Sequence, residues 1–277
     1  MPGQPDPIDG LVTEFDSVAR RAIRSRGIEP VHEVRVAIRR LFQGLTLYHP
    51  AKKIRKPLRH LMKLSGDVRD CDIALSLLKG AWAKDSTPLR ERVAKRRASS
   101  RGMLAAELKT WLETAGTWRS GIGAPKALDT AVLPKMAEDF LKRGERVATK
   151  RPDLARLHKF RIQTKRLRYS LEIMQPALGE GAGAWNEPLQ AVQKVLGQIN
   201  DCRIVLDMDR ELGGGKAIDG PLQKRLKSKI RKFRVLWNER FSGVATKEWL
   251  QALEPPPRKP MARSHTAAPL AKAAKRA

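Results

Sequence analysis

Cysteines, aromatic side chains and acids are all scarce in this 277-residue chain, and each scarcity removes a class of protein. Two cysteines, Cys71 and Cys202, are too few for a disulfide framework or a four-thiolate zinc site. Aromatic residues make up 5% of the chain, thin for a protein that binds single strands by stacking bases on rings. No run approaches the roughly 18 apolar residues of a membrane-spanning helix. The opening MPGQPDPIDG has neither the basic head nor the apolar stretch of a secretory signal, so a cytoplasmic protein is expected. Alternation of β-branched and polar residues over strand lengths is scarcely seen. The 29 acids face 56 Lys and Arg, a formal charge of +27, and that imbalance predicts a polyanionic partner.

What is abundant is helical periodicity, in a chain whose 41% hydrophobic residues suffice for a core. Val34, Ile38, Leu41 and Leu45 illustrate the spacing. It predicts an all-α protein with helices near 8–26, 30–47, 52–65, 70–83, 88–118, 130–148, 153–175, 187–197, 201–212 and 220–250. Glycine and proline mark the breaks, as from Gly27 to Pro30 and from Gly213 to Gly215. The folded body spans residues 8–252. Residues 254–277 hold PPP, six basic residues, one acid and an alanine-rich end without an apolar face, and are expected to be a disordered basic tail.

Three segments recur in the same order in the two halves. VHEVRVAIRRLFQGL (31–45) aligns without gaps on LHKFRIQTKRLRYSL (157–171), pairing His32 with His158 and Arg35 with Arg161. LSGDVRDCDIAL (64–75) aligns on VLGQINDCRIVL (195–206), pairing Gly66 with Gly197, Asp70 with Asp201 and Cys71 with Cys202. Pro88-Leu89 matches Pro221-Leu222, which sets Arg92 opposite Arg225 and Arg96 opposite Lys229. The order predicts an internal duplication, with one helical bundle from about 8–120 and a second from about 126–252, built of long antiparallel helices.

On a helix with about 100° per residue, Val34, Ile38, Leu41 and Leu45 gather on a core-facing side. His32, Arg35, Arg39 and Gln43 fall on another stripe, and the second half repeats it as His158, Arg161, Lys165 and Tyr169, with Arg168 beside it. The next helix concentrates Lys52, Arg55, Lys56, Arg59 and Lys63 on one face. Like charges one turn apart repel, a cost that an anionic ligand removes. At the corresponding positions of the second half stand Asn186, Gln190 and Lys194, so the halves contribute unequally. The long fourth helices add Arg92 and Arg96 in one half and Arg225, Lys229 and Lys232 in the other. These cations and the two paired histidines are the candidate ligands of an anion. Histidines without a repeat partner (His49, His60, His265) are read as solvated or packed, and Cys71 and Cys202 as small buried groups. Arg40 and Arg166, nearer the apolar border, are expected to pair with Asp70 and Asp201.

Enzymatic signals are weak. Gly213-Gly214-Gly215-Lys216 resembles a phosphate loop, but Arg210 replaces its first glycine and Ala217 its Ser or Thr. No HExxH motif, clustered carboxylates or Ser, His and Asp set stands out, so no catalysis, metal or other cofactor is expected.

Taken in order, His32-Glu-Val-Arg35-Val with Arg39-Arg40-Leu41, Leu64-Ser-Gly66 followed by Val68-Arg69-Asp70, His158-Lys-Phe-Arg161-Ile with Lys165-Arg166-Leu167-Arg168-Tyr169, and Leu196-Gly197 followed by Asn200-Asp201 resemble the CHAD domain, a histidine-containing α-helical domain. The resemblance covers nearly all of residues 8–252. It implies two helical bundles related by a pseudo-twofold axis, whose basic surfaces bind inorganic polyphosphate. Relatives are often joined to a triphosphate tunnel enzyme with an ExExK motif, which this sequence lacks, so the binding module alone is expected.

Polyphosphate suits these residues. It carries about one charge per phosphate and offers no bases, so its recognition needs donors and charge rather than rings. Arginine presents paired donors and lysine a mobile point charge. His32 and His158 are expected to donate to phosphoryl oxygens near the centre of a shared groove, with affinity rising as pH falls toward about 6. A nucleic-acid-binding protein and an adaptor on polyphosphate or polyester granules are the competing readings.

Overall fold

A computed structural model describes residues 7–48, 52–79, 86–114, 119, 122, 125–175, 178, 180–213, 218–243 and 249–250. The residues of the expected tail lie outside this set. Four helices come from the first half: α1 (Pro7–Arg24), α2 (Glu29–Leu47), α3 (Lys52–Leu77) and α4 (Thr87–Glu113). Four follow: α5 (Val132–Val147), α6 (Leu154–Met174), α7 (Asn186–Leu212) and α8 (Asp219–Phe241), with a 3₁₀ segment, Glu180–Trp185, leading into α7. The described residues hold no strand, as the periodicity predicts.

Pro30 in the first turn of α2 sets its entry, and Asp153 caps α6 by accepting from the backbone N–H groups of Ala155 and Arg156. Two expected breaks are absent. α3 runs unbroken through Gly66 and α7 through Gly197, where the sequence suggests two shorter helices in each place. A helical glycine costs only about 1 kcal/mol relative to alanine, which packing on both sides of it readily offsets.

In the first half α1 packs on α2, α3 on α4, and α1 on α4. In the second α5 packs on α6, α7 on α8, and α5 on α8. The two sets meet through the helices that carry the repeated segments: α2 lies against α6, and α3 against α7. One core gathers Phe15, Val34, Ile38, Leu41, Leu45, Leu58 and Trp111. The other is dominated by rings, Phe140, Phe160, Trp185, Phe233, Trp237 and Phe241, and extends into the first half through Cys71, Ala74, Leu78, Leu89 and Val93. Most of the few aromatics are therefore consumed by packing. Phe140 and Phe160 stack with centroids 5.2 Å apart, and Trp237 and Phe241 at 5.0 Å.

Candidate functional site

The packing of α2 on α6 and of α3 on α7 brings the two histidine-bearing stripes to one groove of about 590 Å³. From α2 come His32, Arg35 and Arg39, and from α6 His158, Arg161, Lys165 and Arg168. Helix α3 contributes Arg69 and Asp70, while α7 lays down Gln190, Gln193, Lys194, Gln198, Asn200, Asp201 and Arg203. Eight cationic side chains thus line the groove with two carboxylates.

Some of these cations are already engaged. Arg35 donates through Nη1 to the Met62 carbonyl at 2.9 Å and to Ser65 Oγ at 3.3 Å. Arg168 pairs with Glu172 at 2.5 Å, and Arg203 with Asp207 at 2.6 Å. Among the described residues no ion pair holds Arg39, Arg69, Arg161, Lys165 or Lys194, and the buried Nε of Arg161 makes no hydrogen bond.

The crowding shows in proton affinities. Burial, then Arg39, Arg161, Arg35 and Arg168 in turn, push the Lys165 ammonium down to about 6. Burial and Arg39 lower Arg35 to about 9, and burial and Arg39 also depress Arg161. His32 is lowered by burial and by Arg69, against the opposing pull of Glu29. Burial raises Asp70 despite Arg35, Arg203 and Arg161, and raises Asp201 despite Arg161 and Arg69. His158 Nδ1 lies 2.8 Å from Asn200 Oδ1. With Nδ1–H donated to that carbonyl oxygen, Nε2 carries a proton only in the imidazolium form.

Of the expected ligands, His32, Arg35, Arg39, His158, Arg161, Lys165, Arg168 and Lys194 line the groove together. Arg59 opens onto an adjoining cavity, and both Arg55 and Arg59 sit over the Phe42 ring, at 6.0 and 5.9 Å from its centroid. Lys56 and Lys63 are exposed outside both spaces; Lys52 opens α3, but its side chain lies outside the described ones. Arg92 and Arg96 are correspondingly displaced from the expected row. Arg92 donates to the carbonyls of Leu212 and Gly213 at the end of α7, the latter at 2.9 Å, and Arg96 pairs with Glu211. Arg225, Lys229 and Lys232 stand on α8 outside the groove, Arg225 hydrogen-bonded to Cys202. Arg40 pairs with Glu14 at 2.9 Å rather than with Asp70, which faces the groove arginines instead. Cys71 and Cys202 are free and buried.

The sequence reading missed Arg69, Arg203 and the glutamine row of α7. Arg69 had a usable signal, since it lies three residues beyond Gly66, one turn along the same face. Arg203 had none in the repeat, because its counterpart is Asp72, which is buried and pairs with Arg97 at 2.5 Å.

Residues 10–208 match the family model of the CHAD domain. Among solved structures, the chain resembles the CHAD domain from the plant Ricinus communis, with a TM-score of 0.62 and 22% identity over 90% of each chain. It also resembles PptA from Streptomyces chartreusis, with a TM-score of 0.53 and 15% identity over 88% of this chain and 98% of that one. No curated protein matches the sequence.

Proposed function

Since the chain belongs to the CHAD domain family, we propose that it binds inorganic polyphosphate along the groove between α2, α3, α6 and α7, as a binding module that breaks no bond. The observation that carries this reading is the row Arg39, Arg69, Arg161, Lys165 and Lys194, crowded into one groove without ion pairs among the described residues. Burial first, and then the neighbouring cations, lower Lys165 and Arg161, so the empty row bears both a desolvation cost and a repulsion. A thin chain with about one charge per phosphate relieves the repulsion along its whole length. Arginines supply paired donors to neighbouring oxygens, and Lys165 and Lys194 adjust as point charges. His32 and His158 donate once protonated. Asp70 and Asp201 offset part of the arginine charge through the groove without forming an ion pair with it among the described residues. The module acts in the cytoplasm, free or on polyphosphate granules.

The burial of most aromatic rings in the two cores favours this polymer over single-stranded nucleic acid. The test is a competition titration on the full chain and on a variant combining His32→Ala, Arg35→Ala, His158→Ala and Arg161→Ala. Long-chain polyphosphate should bind the parent at least tenfold more tightly than single-stranded RNA at equal charge concentration and fixed salt, and the variant should lose that preference. RNA displacing polyphosphate on equal terms, or a variant that binds both as the parent does, overturns the proposal.

A further inference from the structure

Beside the groove lies a second cavity, of about 320 Å³, between α2, the first half of α3 and α6. Its character differs. Phe42, Met62, Ile162 and Tyr169 give it an apolar wall alongside Arg59 and Arg166, while Arg35, Arg39, His158, Arg161 and Lys165 line both spaces and so form their common rim. An inorganic phosphate chain gains nothing from the apolar side, so the polyphosphate reading leaves this wall without a use.

The wall is open. Ile162 is 47% exposed, one of four large apolar side chains that exposed among the described residues, and it lies directly beside Arg161. The rings are held by cations. Arg55 and Arg59 lie over Phe42, and Arg168 lies over Tyr169 at 4.8 Å from its centroid. The space sits at the small end of the range for ligand pockets, enough for one planar heterocycle. A molecule that fits both spaces has a flat, largely apolar body at one end and a run of phosphates at the other.

We infer that the paired cavities form a site for a nucleoside polyphosphate, its base against Phe42 and Ile162 and its phosphates crossing the shared rim of Arg35, Arg39, Arg161 and Lys165 into the groove. The inference rests on the groove being a phosphate site and adds the class of small ligand that uses its apolar annex. The rim serves both ligands, so nucleoside polyphosphate and long-chain polyphosphate exclude one another.

The test compares inorganic tetraphosphate with adenosine 5′-tetraphosphate as displacers of fluorescent long-chain polyphosphate from the full chain. The two have the same number of phosphates, and the adenosine compound carries the lower charge, so electrostatics alone ranks it weaker. The expected result is the reverse: adenosine tetraphosphate displaces at about tenfold lower concentration, the scale of one base stacked on an aromatic and apolar wall. Ile162→Ala, at an exposed position, should erase the preference while leaving inorganic tetraphosphate unchanged, and Phe42→Leu should do the same where that variant keeps the parent's melting temperature. Equal displacement by the two compounds, or a preference that survives Ile162→Ala, overturns the inference while leaving polyphosphate binding intact. Failure of long-chain polyphosphate itself to bind the parent is the separate result that removes the underlying reading.

Discussion

The guanidinium of Arg35 passes over Gly66 so closely that a Cβ at residue 66 would lie 2.9 Å from its Nη1. This accounts for a glycine in the middle of α3, where helix propensity alone argues against one. The same Nη1 donates to the carbonyl of Met62, one turn earlier, so α3 both makes room for the side chain and holds its end. Gly197, the counterpart in α7, has nothing within 4 Å of a Cβ. The two glycines of the repeat therefore do different things.

Gly66→Ala is accordingly expected to separate stability from binding. The clashing atom is the far end of a flexible side chain, so the backbone need not move, and alanine contributes roughly 0.5–1 kcal/mol of helix stability that offsets the loss of the Arg35 contact. The melting temperature should stay close to that of the parent while polyphosphate affinity falls several-fold, because the Arg35 guanidinium is shifted from its place in the groove. Gly197→Ala should raise the melting temperature and leave affinity nearly unchanged. Thermal denaturation and a titration at fixed salt read both quantities, and a Gly66→Ala protein that binds as the parent does would remove Arg35 from the site.

Lys165 and His32 are expected to make polyphosphate binding proton-linked. In the free protein Lys165 titrates at about 6, because burial and the ring of Arg39, Arg161, Arg35 and Arg168 favour the neutral amine, and His32 is lowered by burial and Arg69. A bound polyanion reverses both shifts, so protons are taken up on binding. Affinity should fall as pH rises from about 6 to 8, by up to tenfold per unit for each full proton, and the Lys165 share of the slope should fade below about 6 as that amine becomes charged in the free protein. Calorimetry in two buffers of different ionisation enthalpy counts the protons directly. Lys165→Met should flatten the slope and weaken binding more at pH 6 than at pH 8. A pH-independent affinity would mean that Lys165 does not meet the ligand.

The helices were legible because their burial is local and periodic: Val34, Ile38, Leu41 and Leu45 are all fully buried, as their spacing requires. The histidine stripes were legible for the same reason, since residues one turn apart share a face whatever that face meets. The helix breaks were misread because a glycine's cost is written in the sequence, whereas the approach of Arg35 that justifies Gly66 comes from a residue 31 positions earlier. Arg40 shows the same limit. Its border position was legible, but which acid it meets depends on how α1 packs against α2, and that packing delivers Glu14. The apolar cavity beside the groove was illegible too, because Phe42 and Ile162 belong to different helices and become one wall only when α2 and α6 pack.

Arg92 and Arg39 are both arginines on helical spacing in the sequence, and the fold gives them opposite tasks. Arg92 holds the last carbonyls of α7, where Gly213 takes the left-handed conformation that ends the helix, with φ of 69°. Arg39 stands in the groove among like charges. Arg92→Ala should therefore lower stability by on the order of 1 kcal/mol, the scale of hydrogen bonds lost from a helix end, and leave polyphosphate affinity within about twofold. Arg39→Ala should leave stability unchanged or raised, because a source of repulsion is gone, and should weaken polyphosphate several-fold while lowering the slope of log affinity against log salt by nearly one counterion. Denaturant unfolding and a salt series on both variants measure these quantities. Equal weakening of binding by the two substitutions would mean that affinity follows net charge alone and that the groove holds no privileged site for the polyphosphate.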